Sequence, residues 1–302
     1  MKNDVPALLG VVDQKVDEVD HMVSVITPVL NGVKYVERCI QSVLRQGYPR
    51  IEHVFADGGS IDGTLEMLSH YTSLYPDRIR YVSGPDKNAA DGWNKGLEMA
   101  RGEIFGWLGA DDTYEPDAVQ TVVKFFKSNP RAVFAFGDCN IIDDKNGKTV
   151  RFEAMGGNAS EQLQKLLTGP NYIATTSAFY KREVVERVGI MDTRLNGNGC
   201  DLDYWIRVAK VYDLHRIGEV LSNFRLREDS TSGSKDALRR NSRDLYLISR
   251  RHGGSIFSNY GVVHFGSPLL RLCRPILGPL YPFVSDKIVY PLVRKARKLG
   301  GA

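Results

Sequence analysis

The chain has 302 residues, 42% hydrophobic and 25% charged. That composition excludes disordered, collagenous and fibrous classes and suits one large domain or a domain with a subdomain. A formal net charge of +4 does not by itself call for nucleic acid. Four separated cysteines, Cys39, Cys139, Cys200 and Cys273, with no C-x-x-C among them, exclude a disulfide framework or zinc signature and point to a reducing, cytoplasmic compartment.

Residues 1–20 read as a polar leader. Asp4, Asp13, Asp17, Glu18 and Asp20 leave only a short apolar run, unlike the basic start and long apolar core of a signal peptide. The β-branched segment Met22–Pro28 predicts a buried strand, Asn31-Gly32 a turn, and Val36, Cys39, Ile40, Val43 and Leu44 a helix ending near Gly47. The alternation continues with a strand at Ile51–Ala56, a helix at Thr64–Tyr75, a strand at Ile79–Val82, a helix at Ala89–Ala100 and a strand at Glu103–Leu108. Pro116 opens a further helix whose inward face is Val119, Val122, Val123 and Phe126, and Ala132–Phe136 is again a strand. Such alternation means a parallel α/β sheet, which binds ligands outside the carboxyl ends of its strands.

After Asp138 the pattern weakens. Strands are expected at Thr149–Phe152, Ala178–Tyr180 and Leu214–Ile217, and helices at Ala159–Leu167, Glu183–Val188, Asp201–Val211 and Lys235–His252. The expected organisation is a main domain at 21–230, with a nucleotide-binding half at 21–138 and an acceptor half at 139–230, followed by a helical, basic and apolar C-terminal extension at 231–302.

Two acidic groups follow strand ends in the parallel half. Asp57 leads Asp57-Gly58-Gly59-Ser60-Ile61-Asp62-Gly63-Thr64, and Asp111-Asp112 follow Glu103–Leu108. One carboxylate on such a rim can hydrogen-bond a ribose or base, and another can hold Mg²⁺ or Mn²⁺, which take a few carboxylates plus phosphate oxygens. Aspartates also cap turns and helix starts; Asp62 and Asp112 suit either role. A third group, Gly199-Cys200-Asp201-Leu202-Asp203-Tyr204-Trp205-Ile206-Arg207, reads as a helix start. Residues two apart on a helix face differently, so Asp201 and Asp203 cannot share a site, whereas Asp203 and Arg207 are spaced to pair on the surface. Asp201 is left as the acid that faces a cleft or caps the helix.

The segment Ser24-Val25-Ile26-Thr27-Pro28-Val29-Leu30-Asn31, the Asp57–Thr64 loop and Asp111-Asp112-Thr113-Tyr114-Glu115-Pro116 together resemble family 2 glycosyltransferases of the GT-A fold. Pro85-Asp86-Lys87 and Asp91-Gly92-Trp93-Asn94-Lys95-Gly96 are similar to a bacterial branch that decorates surface polysaccharides or glycolipids. The resemblance covers about Val23 to Arg225. It implies a Rossmann-like, mostly parallel central sheet flanked by helices. It also implies an inverting transfer of sugar from a UDP- or GDP-sugar to a hydroxyl of a glycan or lipid-linked acceptor. Pro28 and Leu30 would border the base, Asp57 would bind the base or ribose, and Asp91 would add a polar contact. Asp111, with Asp112, would hold a divalent metal on the diphosphate, and Asp201 would be the catalytic base. The family's Asp-x-Asp usually begins with an acid, where this chain has Gly109, and Cys200 is a milder departure. Thr175 and Thr176 stand where this branch often has His or Gln, at the donor–acceptor junction.

Beyond Pro268, apolar residues alternate with prolines and with Arg271, Arg274, Lys287, Arg294, Lys295, Arg297 and Lys298. Residues 268–298 suit a peripheral contact with the inner face of the cell membrane, or a tail packed on its own domain or a second copy. A dinucleotide oxidoreductase would need G-x-G-x-x-G after the first strand, where the chain has Leu30-Asn31-Gly32-Val33. A nucleotidyltransferase would need a basic, Gly-rich loop there. A non-catalytic sugar-nucleotide-binding or membrane-associated member of the same fold is the alternative that Gly109 keeps open.

Overall fold

The structure is a computed structural model that describes residues 21–169, 171–195, 199–227, 235–255 and 258. The leader 1–20 and the membrane-facing reading of 268–298 lie outside the described residues. Nine strands are described: β1 (Val23–Val29), β2 (Ile51–Asp57), β3 (Ile79–Ser83), β4 (Ile104–Trp107), β5 (Thr113–Tyr114), β6 (Phe134–Asp143), β7 (Lys148–Phe152), β8 (Ala178–Lys181) and β9 (His215–Leu226). The helices among the described residues are α1 (Val33–Leu44), α2 (Thr64–Leu74), α3 (Ala89–Met99), α4 (Ala118–Ser128), α5 (Ala159–Thr168), α6 (Arg182–Val188), α7 (Cys200–Ala209) and α8 (Lys235–Arg251), with a 3₁₀ turn at Thr175–Ser177.

These elements build one sheet in the order β3-β2-β1-β4-β8-β6-β9-β5, with β7 paired to β6. The first four strands are parallel. β8 is antiparallel to both β4 and β6, and β6 and β9 are parallel, so β9 runs in the same direction as β1. The carboxyl ends of β1, β2, β4, β6 and β9 therefore share one rim, and the 3₁₀ turn, which enters β8, lies on that rim too.

β1 is buried on both faces, and its side chains alternate between two clusters. Val23 and Val25 of β1 pack with Cys39 and Val43 of α1 and with α4. Ile26 faces the opposite cluster with Trp93 and Leu97 of α3, and with α7. The Trp93 and Trp107 rings stack with centroids 4.3 Å apart. Helix α4 starts two residues later than Pro116, and its buried first-turn amide at Val119, which has no intrahelical acceptor, donates to Gln46 Oε1 at 3.0 Å. Tight contact between α3 and β1 needs Gly96, because a Cβ there would lie 2.3 Å from Ile26 Cγ2. Gly96→Ala is expected to cost about 1–3 kcal/mol, the usual penalty for overpacking. The check is the denaturant midpoint at unchanged m-value.

Two expectations change in extent. β6 and β9 run far past Ala132–Phe136 and Leu214–Ile217, to Asp143 and Leu226. Asp203 is buried, not a surface acid: Arg207 Nε lies 2.8 Å from its Oδ2, and His252 Nε2 lies 2.8 Å from Oδ1. Among the described residues no helix is long and apolar enough to cross a membrane.

Candidate active site

The β2 rim carries Asp57. Its Oδ2 accepts the Gly59 and Ser60 amides at 2.9 and 3.1 Å and the Ser83 hydroxyl at 2.7 Å, Oδ1 accepts Ser60 N–H at 3.3 Å, and the Ser60 hydroxyl also favours the ionised carboxylate. Burial pushes its carboxyl up, but the Ser60, Ser83 and Gly59 donors outweigh that, so Asp57 titrates below the usual carboxylate range. The result is a fixed, ionised acceptor with capacity left on Oδ1. The rest of its loop is structural. Asn31, at φ 51°, donates its amide to Ser60 Oγ and accepts Ile61 N–H, and Asp62 Oδ2 accepts Val33 N–H at the start of α1. Asp62 thus caps a helix, one of the two roles its position allowed.

Pro28 is half-buried at the end of β1, and Leu30 beyond it is 57% exposed, so both line the rim beside Asp57. Asp91 sits in the first turn of α3, where its Oδ2 accepts Lys87 N–H at 3.0 Å and pairs with Lys95 at 3.8 Å. The acid turned toward Asp57 is instead Asp86, which sequence reasoning quoted only as part of a motif. A Cβ built on Gly58 would lie 2.8 Å from Asp86 Oδ2, and one on Gly92 would lie 3.2 Å from it and 3.0 Å from Pro28 Cβ. Pro28, Gly58, Gly92 and Asp86 therefore surround one notch next to Asp57. The local signal for Asp86 was the pair of glycines, whose missing side chains make room for it.

Strand β1 separates β2 from β4, so Asp57 and the loop beyond β4 flank its end, about 10 Å apart at the usual strand spacing. In that loop the two aspartates differ. Asp112 is buried; its Oδ1 accepts Arg225 N–H at 2.8 Å, and Oδ2 lies where a side chain on Gly109 would go. Burial, and then the neighbouring Asp111, raise its carboxyl well above the usual range. Asp111 faces outward, with Oδ2 2.9 Å from Arg227 Nε. The Arg227 and Arg225 guanidiniums lie over the Tyr35 ring, 4.6 and 5.7 Å from its centroid. Pairing of β5 with β9 brings these groups together, and that two-residue strand was not legible from periodicity.

A divalent metal at this place would be held by Asp111 and not by the pair, since both Asp112 oxygens are turned inward. One protein carboxylate completed by diphosphate oxygens and water is within the habit of Mg²⁺ or Mn²⁺. Among the described residues no cluster of three or more His, Cys, Asp or Glu could hold a metal without such help.

Asp201 opens α7 beneath the 3₁₀ turn. Thr175 Oγ and Asn171 Nδ2 donate to its Oδ2 at 2.9 and 3.2 Å, and Leu202 N–H donates to Oδ1 at 2.7 Å. Burial raises its carboxyl above the usual range despite these donors. The same turn bonds β9, with Thr176 and Ser177 hydroxyls 2.8 and 2.6 Å from Ser222 Oγ. Three residues further along β9, about 10 Å at strand rise, Arg225 holds Asp112. Strand β9 thus ties the base candidate to the aspartate loop, which explains why its length matters.

A sequence model described as Glycosyl transferase family 2 matches residues 24–189. An uncharacterized glycosyltransferase of Nostoc sp. is 31% identical over 186 residues, 59% of this chain and 57% of that protein. The chondroitin synthase of Escherichia coli is 27% identical over 214 residues, 71% of this chain and 30% of that one. The chain spans little more than half the length, or less, of the curated relatives first matched. A mannosyltransferase from Pyrobaculum calidifontis, solved with GDP-Man and Mn²⁺, superposes with a TM-score of 0.64 at 18% identity, over 93% of this chain and 83% of that one. The TarS 1–349 fragment of S. aureus, solved with UDP, superposes with a TM-score of 0.56 at 15% identity, over 92% and 90%. These likenesses bear out the GT-A type α/β fold, with its mostly parallel central sheet. The family model spans the β1 segment, the Asp57 loop and the Asp111-Asp112 loop but stops before Asp201, and the chain belongs to glycosyl transferase family 2.

Proposed function

We propose that the chain is an inverting glycosyltransferase that moves a sugar from a nucleoside-diphosphate sugar to an acceptor hydroxyl of a glycan or lipid-linked saccharide at the inner face of the cell membrane. The observation that carries this reading is the placement of Asp57, Asp111 and Asp201 on one rim. Asp57 would hold the base through Oδ1. Arg225 and Arg227 would face the diphosphate, Arg227 leaving Asp111 as the donor enters. A Mg²⁺ or Mn²⁺ ion on Asp111 would add Lewis-acid neutralisation of the leaving diphosphate. Asp201 would accept the acceptor's hydroxyl proton as that oxygen attacks the anomeric carbon from the opposite side. Its raised affinity for a proton suits that task, and no covalent intermediate is needed. Neighbours in fold bind UDP, UDP-GlcNAc and GDP-Man, and relatives include chondroitin and hyaluronan synthases, which supports a sugar-nucleotide donor and a polysaccharide setting.

Nucleoside diphosphate with Mn²⁺ is expected to raise the melting temperature, because at about 100 times the Kd a ligand adds about 2.7 kcal/mol. Asp111→Asn should keep the rise given by nucleotide alone and lose the increment given by Mn²⁺. An unshifted melting curve with every nucleoside diphosphate would end the donor-site reading, and full turnover in EDTA would end the metal.

Thr175→Val tests the base. It removes one donor that favours ionised Asp201, so the proton is held more tightly. A base works only when deprotonated, so the acid limb of kcat/KM should move to higher pH while the alkaline limb stays. An unmoved acid limb would assign that limb to another group.

A further inference from the structure

We infer that Asp86 is the residue that selects the donor's base, and that the base it selects is guanine. This rests on reading the β2 rim as a sugar-nucleotide site and goes beyond it by naming the nucleotide. The notch beside Pro28 presents two carboxylates, not one. Asp57 Oδ1 keeps lone-pair capacity, because Ser60 N–H reaches it at 3.3 Å, longer than the 2.7–3.1 Å bonds that fill Oδ2. Among the described residues no hydrogen bond is donated to the Asp86 carboxylate. It is partly buried in the space that glycine leaves at positions 58 and 92, its Oδ2 lying 2.8 and 3.2 Å from where Cβ atoms there would be. Its turn is fixed from behind, because Lys95 Nζ donates to the carbonyls of Gly84 and Pro85 at 3.3 and 2.7 Å.

The chemistry of the bases then decides. Guanine offers adjacent N1–H and N2–H donors, enough for two acceptor groups or one carboxylate taken at both oxygens. Uracil offers a single N3–H between two carbonyl oxygens. With Asp57 on N3–H, a second carboxylate would face a carbonyl, and two acceptors repel. Adenine and cytosine each place a ring acceptor beside their amino group, with the same conflict. A buried polar group left without its partner is what gives hydrogen-bonding sites their strong discrimination. Burial raises the Asp86 carboxyl from its usual range, as do the nearby Asp91 and Asp57 charges, against Lys95. Two donors from a base would relieve that crowding.

The test is calorimetric titration of the full chain with GDP, UDP and ADP in excess Mg²⁺, for the parent and for Asp86→Asn. GDP is expected to bind about 10–100-fold tighter than UDP, the range one hydrogen bond to a charged group supports. Asp86→Asn replaces one acceptor oxygen with an amide that can donate to a uracil carbonyl, so it should weaken GDP, strengthen UDP and leave the ligand-free melting temperature unchanged. UDP binding as tightly as GDP, or a GDP preference unaltered by Asp86→Asn, would overturn the inference while leaving the donor site intact. No binding of any of the three would overturn both.

Discussion

Asp201→Asn should lower transfer by about 10²–10⁴-fold, the contribution of a positioned general base, while the protein melts at the same or a higher temperature at neutral pH. The two halves have one cause. Burial raises the Asp201 carboxyl above its usual range, so its folded pKa lies above its unfolded one. A group shifted in that direction stabilises the fold below the unfolded pKa, and that contribution is lost as pH rises through the folded pKa. As pH rises toward neutral the parent gives up that contribution, whereas asparagine has no proton to lose. The amide can keep its oxygen on Leu202 N–H and turn its NH₂ to the Thr175 hydroxyl oxygen, so the contact with the first turn of α7 survives. Nucleoside diphosphate affinity should be nearly unchanged, because Asp201 is reached from the 3₁₀ turn and not from the β2 rim. Transfer within a few-fold of the parent would remove Asp201 from the mechanism. A melting temperature that drops by many degrees would show that its charge serves the fold instead.

The parallel half was legible because each of its strands is short, β-branched and followed by a helix with a clear apolar face. β1, β2, β3 and β4 start and end within a residue or two of their expected bounds. Past Asp138 the sheet is mixed, with β7 and β8 antiparallel to β6 and β9 parallel to it, so the regular strand–helix alternation lapses. The 12-residue β9, with its half-exposed second part, therefore gave a period-2 signal for only its first few residues. The fate of individual acids was less legible still. Spacing separated Asp201 from Asp203 correctly, but it could not show that His252, 49 residues away, buries Asp203. Nor could it show that Arg225, 113 residues beyond Asp112, draws that carboxylate inward. Long-range partners decide which aspartate of a pair faces the rim, and a motif carries no record of them.

Gly109→Asp, which restores the family's usual acid, is expected to destabilise the protein by about 2–4 kcal/mol and not to improve metal binding. A Cβ at this position would lie 2.4 Å from Asp112 Oδ2 and 3.2 Å from Asp111 Oδ1. Such a clash is mild where a flexible side chain can swing away, but Asp112 is buried and its other oxygen accepts Arg225 N–H. Moving it would strand that amide and disturb the β5–β9 pairing behind it. Overpacking alone costs about 1–3 kcal/mol. A third carboxylate next to Asp112, already held well above the usual range by burial and by Asp111, adds like-charge repulsion in a poorly solvated place. Gly109→Ala separates the two effects, because it brings the clash without the charge and should show the smaller loss. If Gly109→Asp unfolds at the parent's denaturant midpoint and takes Mn²⁺ more tightly, Asp112 is free to turn outward. The aspartate pair would then be an ordinary two-carboxylate metal clasp. Parent-like stability without any gain for Mn²⁺ would refute only the packing argument. The expected loss of stability, in contrast, would mean that the glycine accommodates the inward turn of Asp112, and that Asp111 with its arginine partners carries the charge chemistry of the rim.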